Sequence, residues 1–286
     1  MSDSAANLLS ARLTVRYPGK DPVLDGVSLD IGPGEVLGLV GQSGSGKSTM
    51  ALAILGLLGR KRAAVEGNIL FQGADLLKMN ESELRGLRGR TLSLVLQSPL
   101  SSLNPALKIR TQLREAWRAH ADGARSDCDA AIQSAMTSVS LPADPEFLRK
   151  YPAQLSVGQA QRVLIAMAVM HRPALLIADE ATSALDVITQ SEILELFASL
   201  NRSTGMSILY ISHDLPSVAG ICQRIAILHC GQIVECGPTQ QIFSAPNHPY
   251  TQQLMRALPE VPSRGEIPAV RSQGANVRAA HSGPSR

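Results

Sequence analysis

Gly41-Gln42-Ser43-Gly44-Ser45-Gly46-Lys47-Ser48-Thr49 sets three glycines ahead of a lysine and two hydroxyls. The spacing satisfies G-x-x-x-x-G-K-[ST], the pattern of a phosphate-cradling loop, or P-loop. Gly41, Gly44 and Gly46 let the backbone curl until its N–H groups converge on one anion; a side chain there would block the approach or the required φ/ψ. Lys47 brings a point charge for β- and γ-phosphates, and Ser48 a hydroxyl for Mg2+. Ser43, Ser45 and Thr49 complete the cradle. A Gly/Ser-rich surface turn would share this composition but not its flanks. Val36 to Val40 reads as a buried strand and Met50 to Leu55 as an apolar helix start. Strand, loop, helix is the setting that the motif requires.

Three further polar sites follow apolar runs that read as strands. Asp179-Glu180 closes the run Leu175 to Ala178. Asp179 is suited to hold Mg2+ directly or through water, and Glu180 to polarise an attacking water. An acidic pair after a strand is otherwise a helix cap or a solvated turn, a reading that the upstream P-loop weakens. Gln97 follows Thr91 to Leu96; its carbonyl oxygen could reach Mg2+ or a water on it, although a lone Gln there is usually a surface residue. His213 follows Ser207 to Ile211 and could bond a γ-phosphate, although a lone His is more often structural. Ser156-Val157-Gly158-Gln159 precedes a helix expected over Ala160 to Met170, so its N–H groups face an anion site. A second phosphate-seeking helix start, separated from the P-loop by a helical stretch, makes sense if two chains meet head to tail.

These residues need a scaffold that brings strand ends together. Continuous apolar strands suit a parallel sheet buried on both faces. Their alternation with helices predicts an α/β fold, a P-loop NTPase with a mostly parallel core sheet. Ligands in such sheets bind beyond the carboxyl ends of strands. Leu13 to Tyr17 and Val27 to Ile31 alternate and predict two antiparallel strands before the core. Tyr17 either packs in that small sheet or stacks on an adenine ring. Asn80, with Glu83 three residues on, predicts a capped helix start. Ser98 to about Gln154 differs in texture: a Pro/Ser-rich turn over Ser98 to Pro105, then helical patterns over Ile109 to His120 and Cys128 to Val139. Ser183 to Asp186 reads as a loop, Ser191 to Leu200 as a helix, and Ile225 to Leu228 with Gln232 to Glu235 as a hairpin. The division expected is 1–97 for a small antiparallel β subdomain and the first part of the P-loop core, 98–158 for a helical subdomain, 159–245 for the rest of the core, and 246–286 for a C-terminal extension. Residues 260–286 are polar and without aromatics, and read as mostly disordered.

Composition narrows the class. The 286 residues are 44% hydrophobic and 18% charged, which supports a large core, and a net charge of +3 argues against nucleic acid as a partner. Arg60-Lys61-Arg62 reads as a solvated loop. No apolar run approaches the roughly 18 residues of a membrane span, and the N-terminal residues lack the pattern of a signal peptide. The four cysteines, Cys128, Cys222, Cys230 and Cys236, form no C-x-x-C pair and read as reduced thiols rather than a metal site.

The order of these motifs resembles the nucleotide-binding subunit of an ABC transporter. Tyr17, Gly41–Thr49, Gln97, Leu155–Gln159, Leu175–Glu180, Ser183–Asp186 and His213 correspond to its A-loop, Walker A, Q-loop, signature, Walker B, D-loop and switch histidine. The resemblance implies an ATP sandwich, with Lys47 and Ser48 of one subunit facing Ser156 and Gly158 of its partner. Leu76 to Gly89, followed by Gln97-Ser98-Pro99-Leu100-Ser101-Ser102-Leu103-Asn104-Pro105, and later His248-Pro249-Tyr250-Thr251-Gln252, are similar to the oligopeptide/dipeptide/nickel importer branch, and within it to the first of two paired ATPases. That implies a peripheral place on the cytoplasmic face of a cell membrane, a second ATPase, two permeases, an extracytoplasmic solute-binding protein, and ATP with Mg2+. A soluble ABC-type ATPase acting on nucleic acid or ribosomes is the alternative; relatives of that kind usually carry two cassettes or a long coiled coil, and this chain carries neither. An exporter subunit fits the tail less well. Val157 stands where the signature usually has its first glycine, and Ala181 where the branch usually has proline. Some relatives hold a C-terminal iron–sulfur centre; with no cysteine after Cys236, none is expected here.

Overall fold

The computed structural model describes residues 7–59, 62–121 and 123–257. The readings of residues 260–286 as disordered and of Arg60-Lys61 as part of a solvated loop lie outside them. Strand β1 (Leu9–Arg16), β2 (Pro22–Ile31), β4 (Ala64–Phe71) and β5 (Ala74–Asp75) form an antiparallel sheet in the order β2-β1-β4-β5. A second sheet has the order β10-β9-β3-β8-β7-β6, built from β3 (Val36–Val40), β6 (Leu92–Val95), β7 (Leu175–Asp179), β8 (Ser207–Ser212), β9 (Arg224–His229) and β10 (Gln232–Pro238). Its pairings are parallel apart from the β9–β10 hairpin, which turns at Cys230 and Gly231, φ 47° and 78°. Positive φ at both turn residues matches the right-handed twist of the strands.

Period-2 alternation divides the parallel sheet between two cores. Leu37, Leu39, Leu175, Ile177, Leu209 and Ile211 point to one face, where they meet the antiparallel sheet and the helix Lys47–Ile54 through Met50, Ala51 and Ile54. Val36, Val40, Leu176, Ala178, Ile208 and Tyr210 point to the other face, toward the helices Val157–Val169 and Val187–Thr204. The apolar side chains of β7 are fully buried, each worth about 1.5–3 kcal/mol over exposure for the Leu and Ile positions. Both faces being covered explains why these strands read as unbroken apolar runs.

Between β6 and β7 the chain forms the helices Pro99–Ser102, Ile109–Arg118, Arg125–Ser138 and Pro145–Leu148, then Val157–Val169. Leu113, Ile132, Met136 and Phe147 join Val163 in one continuous core. Several boundaries differ from the sequence expectation, and three of them border the residues singled out above. The Pro/Ser-rich turn contains the helical turn Pro99–Ser102, with Pro99 at its first position. The helix expected from Ala160 starts at Val157 because Ser156 and Gln159 form a capping box. The helix expected from Ser191 starts at Val187, capped by Asp186, and ends at Gly205 in a left-handed conformation. The short helices Leu215–Ile221, Thr239–Ser244 and Pro249–Arg256 have too few turns for a clear period and were not expected.

Candidate functional site

β3, β8, β7 and β6 run parallel, so their carboxyl ends share one edge. The register pairs Val40 with Ser212, Asp179 with Ile211, and Val95 with Ala178. The P-loop, His213, Asp179-Glu180 and Gln97 therefore leave adjacent strands in a row.

Two glycines of the P-loop have no substitute. A Cβ on Gly41 would stand 2.2 Å from the Leu228 carbonyl oxygen and 2.7 Å from Ser45 Oγ. Gly46 has φ 109°, and a Cβ there would meet Leu24 Cδ2 at 2.6 Å. Gly46 also starts the helix Lys47–Ile54 without a side-chain cap, which leaves first-turn N–H groups free for an anion. Lys47 is buried, and its Nζ donates to the carbonyls of Gly41 at 2.8 Å and Gln42 at 3.0 Å. Burial lowers the pKa of this ammonium, and the nearby Glu180 and Asp179 carboxylates oppose that shift.

Glu180 follows the end of β7 at φ 49°, the left-handed region, with its N–H donating to Ile211 at 2.9 Å. Such a conformation in a non-glycine residue costs about 1–3 kcal/mol and persists only where the surroundings impose it. The turn brings Glu180 Oε1 to within 3.3 Å of His213 Nδ1. A buried hydroxyl network lies beneath. Thr182 Oγ1 is 2.9 Å from Tyr210 Oη, which donates to Ser217 at 3.3 Å. Gln190 Nε2 donates to Asp214 Oδ2 at 2.9 Å, tying the helix Val187–Thr204 to the loop of His213.

Asp179 is the clearest candidate for a cation ligand. Its Oδ1 is buried and has no hydrogen-bond partner. Burial raises the carboxyl pKa, the Ser48 hydroxyl lowers it in part, and Glu180 adds to the rise. An orphaned buried carboxylate oxygen beside a hydroxyl fits a hard divalent cation, which takes oxygen ligands. Gln97 is exposed just beyond β6, and none of its side-chain hydrogen bonds falls among the described residues. Tyr17 is half-buried and packs against the core under the antiparallel sheet.

Ser156, Gly158, Gln159 and Asp186 form a second group. Ser156 Oγ accepts from Gln159 N at 3.2 Å, and Gln159 Oε1 from Ser156 N at 3.1 Å. Asp186 accepts from the Ile188 and Thr189 N–H groups at 3.1 and 3.0 Å and from Thr189 Oγ1 at 2.6 Å. The Thr189 hydroxyl and N–H hold the Asp186 carboxyl below the usual range. Thr189 in turn abuts Gly158, where a Cβ would meet Thr189 Cγ2 at 2.7 Å. The helix start at Ser156 and the loop at Asp186 are thus one surface. Among the described residues, no hydrogen bond or ion pair joins that surface to the P-loop.

Sequence reasoning assigned no role to Tyr250. Its Oη accepts the Gln42 N–H of the P-loop at 3.3 Å. The contact spans 208 residues, and no local pattern signals it. Thr182 in the turn after β7, Tyr210 within β8 and Ser217 in the helix Leu215–Ile221 also went unnoticed, because single hydroxyls on separate elements have no common signature.

Comparison with known proteins extends this geometry. The ABC transporter family profile matches residues 24–183, and the profile named "Oligopeptide/dipeptide transporter, C-terminal region" matches residues 234–284. The chain is 40% identical over 250 residues to the dipeptide transport ATP-binding protein DppD of Bacillus subtilis, covering 87% of this chain and 75% of that protein. It is 39% identical over 251 residues to the oligopeptide transport ATP-binding protein OppD of the same organism, covering 87% and 70%. Among solved structures, a dimeric post-hydrolysis state of the ATP-binding cassette MJ0796 bound to ADP and Pi superposes with a TM-score of 0.70 at 26% identity, covering 81% of this chain and 98% of that one. With a phosphate loop, an acidic strand end and a histidine on one edge of a parallel sheet, and a family match through most of that core, the chain belongs to the ABC transporter family as one of its ATP-binding cassettes.

Proposed function

We propose that this chain binds and hydrolyses ATP to drive a bacterial importer of short peptides. The observation that carries the reading is the row of polar groups at the carboxyl edge of the parallel sheet. Lys47 would exchange its bonds to the Gly41 and Gln42 carbonyls for the β- and γ-phosphates, within the cradle of Gly41, Ser43, Gly44, Ser45, Gly46, Ser48 and Thr49. Ser48 and Asp179, with Gln97, would hold Mg2+, which when bound neutralises charge on the phosphates. Glu180 orients the attacking water and receives its proton. His213 steadies Glu180 and reaches the γ-phosphate. Tyr17 supports the adenine.

Ser156, Gly158, Gln159 and Asp186 act in trans on the ATP of a second, similar ATPase. Support comes from their separation from this chain's own P-loop and from the dimeric relative. The division into 1–97, 98–158, 159–245 and 246–286 belongs to the same reading. Half-exposed Leu96 and Leu100 flank Gln97, beside a surface cavity lined by Leu94, Ala116, His120 and Leu164. That surface suits short helices of two membrane permeases, which would hold the cassette on the cytoplasmic face of the membrane, while an extracytoplasmic binding protein delivers the cargo. Peptide is favoured over nickel by the dipeptide and oligopeptide relatives. In the purified complex, Lys47→Ala is expected to abolish ATP binding and peptide uptake; normal turnover in that variant contradicts the P-loop assignment. Titration of the partner binding protein with dipeptides and with Ni2+ tests the cargo, and nickel binding without peptide binding would overturn that part.

A further inference from the structure

We propose that Tyr250 is a positioning residue for the P-loop, through which the C-terminal segment sets the affinity for nucleotide. The segment is anchored before it reaches the loop. Glu235 on β10 accepts the Asn247 and His248 N–H groups at 2.8 and 3.1 Å. His248 Nδ1 accepts the Tyr250 N–H at 3.2 Å and caps the helix Pro249–Arg256. The Tyr250 ring, 7% exposed, stacks on His229 with centroids 3.7 Å apart and planes at 23°. Both ring and backbone are therefore fixed, and Oη meets the Gln42 N–H.

The same short stretch of P-loop is held from two further directions. The carbonyl of Leu228, next to His229, closes against Gly41 so tightly that a Cβ would come within 2.2 Å. Lys47 Nζ ties the Gly41 and Gln42 carbonyls from within the loop. Those two bonds end when Lys47 turns to a phosphate. The Tyr250 hydroxyl then remains as the side-chain tie on Gln42. A hydroxyl that holds the loop shaped while its lysine is engaged strengthens ligand binding by reducing the ordering that binding must impose.

The inference rests on the reading that this loop binds ATP, and the experiment separates the two. ATP binding to the purified full chain is measured by calorimetry for wild type, Tyr250→Phe, His229→Ala, their combination and Lys47→Ala, with melting temperatures in parallel. Tyr250→Phe keeps the stacked ring and removes only the hydroxyl. One net hydrogen bond corresponds to a loss of ATP affinity of up to about 10-fold, and because the bond is already made without nucleotide the nucleotide-free melting temperature falls by about 1–6 °C as well. A purely structural role would lower the melting temperature and leave the affinity of the folded chain unchanged. His229→Ala is expected to weaken ATP in the same sense and to add little to Tyr250→Phe. Unchanged affinity in Tyr250→Phe, or full additivity of the two substitutions, overturns the inference while loss of binding in Lys47→Ala leaves the ATP reading intact. Wild-type binding by Lys47→Ala overturns that reading itself.

Discussion

Asp179→Asn should move the stability of this protein in opposite directions with and without ligand. Burial raises the Asp179 pKa, helped by Glu180 and opposed by Ser48 and Lys47. The folded-state value therefore lies above the unfolded value of about 3.9. Above the folded pKa the chain carries a charge that folding disfavours, and the penalty disappears as pH falls through that value toward the unfolded one. Asparagine keeps the shape and removes the charge, so the ligand-free melting temperature should rise. With Mg2+ and ATP at about 100 times the dissociation constant, wild type gains about 2.7 kcal/mol. At about 2–4 °C per kcal/mol that is a rise of about 5–10 °C. A variant that binds about a hundredfold more weakly keeps about 0.4 kcal/mol of it. Calorimetric melts with ATP alone and with Mg2+ added isolate the metal-dependent part, which the variant should lose. In wild type the same part should weaken on acidification, starting at a higher pH than an ordinary carboxylate would allow, because protons compete for Asp179. A lower ligand-free melting temperature in Asp179→Asn, together with a full Mg2+-dependent rise, would refute the reasoning.

Glu180→Gln should retain ATP, lose hydrolysis and trap a closed dimer visible by gel filtration; hydrolysis at the wild-type rate would remove Glu180 as the water-orienting group. Gly41→Ala places a methyl 2.2 Å from a backbone oxygen, and overpacking of that kind costs about 1–3 kcal/mol. Its melting temperature should fall and its ATP affinity with it, and wild-type behaviour in both would show that the loop yields easily. Ser156→Asp keeps a good helix cap and so should preserve the melting temperature. It sets a negative charge where a partner's phosphate is expected, so turnover of the assembled complex should drop at least tenfold, and unchanged turnover would count against action in trans.

Much of this arrangement was legible because the informative residues end strands. Leu175 to Ala178 is apolar without interruption because both of its faces are covered, and the acid that follows must then stand at the edge of the sheet. The P-loop could be read for the same reason. Helix starts were less clear. Ser156 and Gln159 have the spacing of a capping box, a signal present but read as an anion site alone. Val187 and Ile188 are 82% and 75% exposed, so apolar residues at the start of that helix obscure its period. The two antiparallel strands before the core were legible as a small sheet apart from the parallel one, but the joining of β4 and β5 to that sheet was beyond local reading, since the pairing of β1 with β4 depends on long-range packing. So was the contact of Tyr250 with Gln42, and the left-handed backbone of Glu180 has no marker in residue type.

On the proposed function, this chain holds half of a hydrolytic site and a second ATPase presents the other half. The most direct test measures ATP turnover per chain, in parallel with ATP binding, as the purified protein is diluted over about three decades. Nucleotide should still bind at every concentration while turnover by the dilute chain falls to background. Rapid hydrolysis that stays constant per chain on dilution would contradict it.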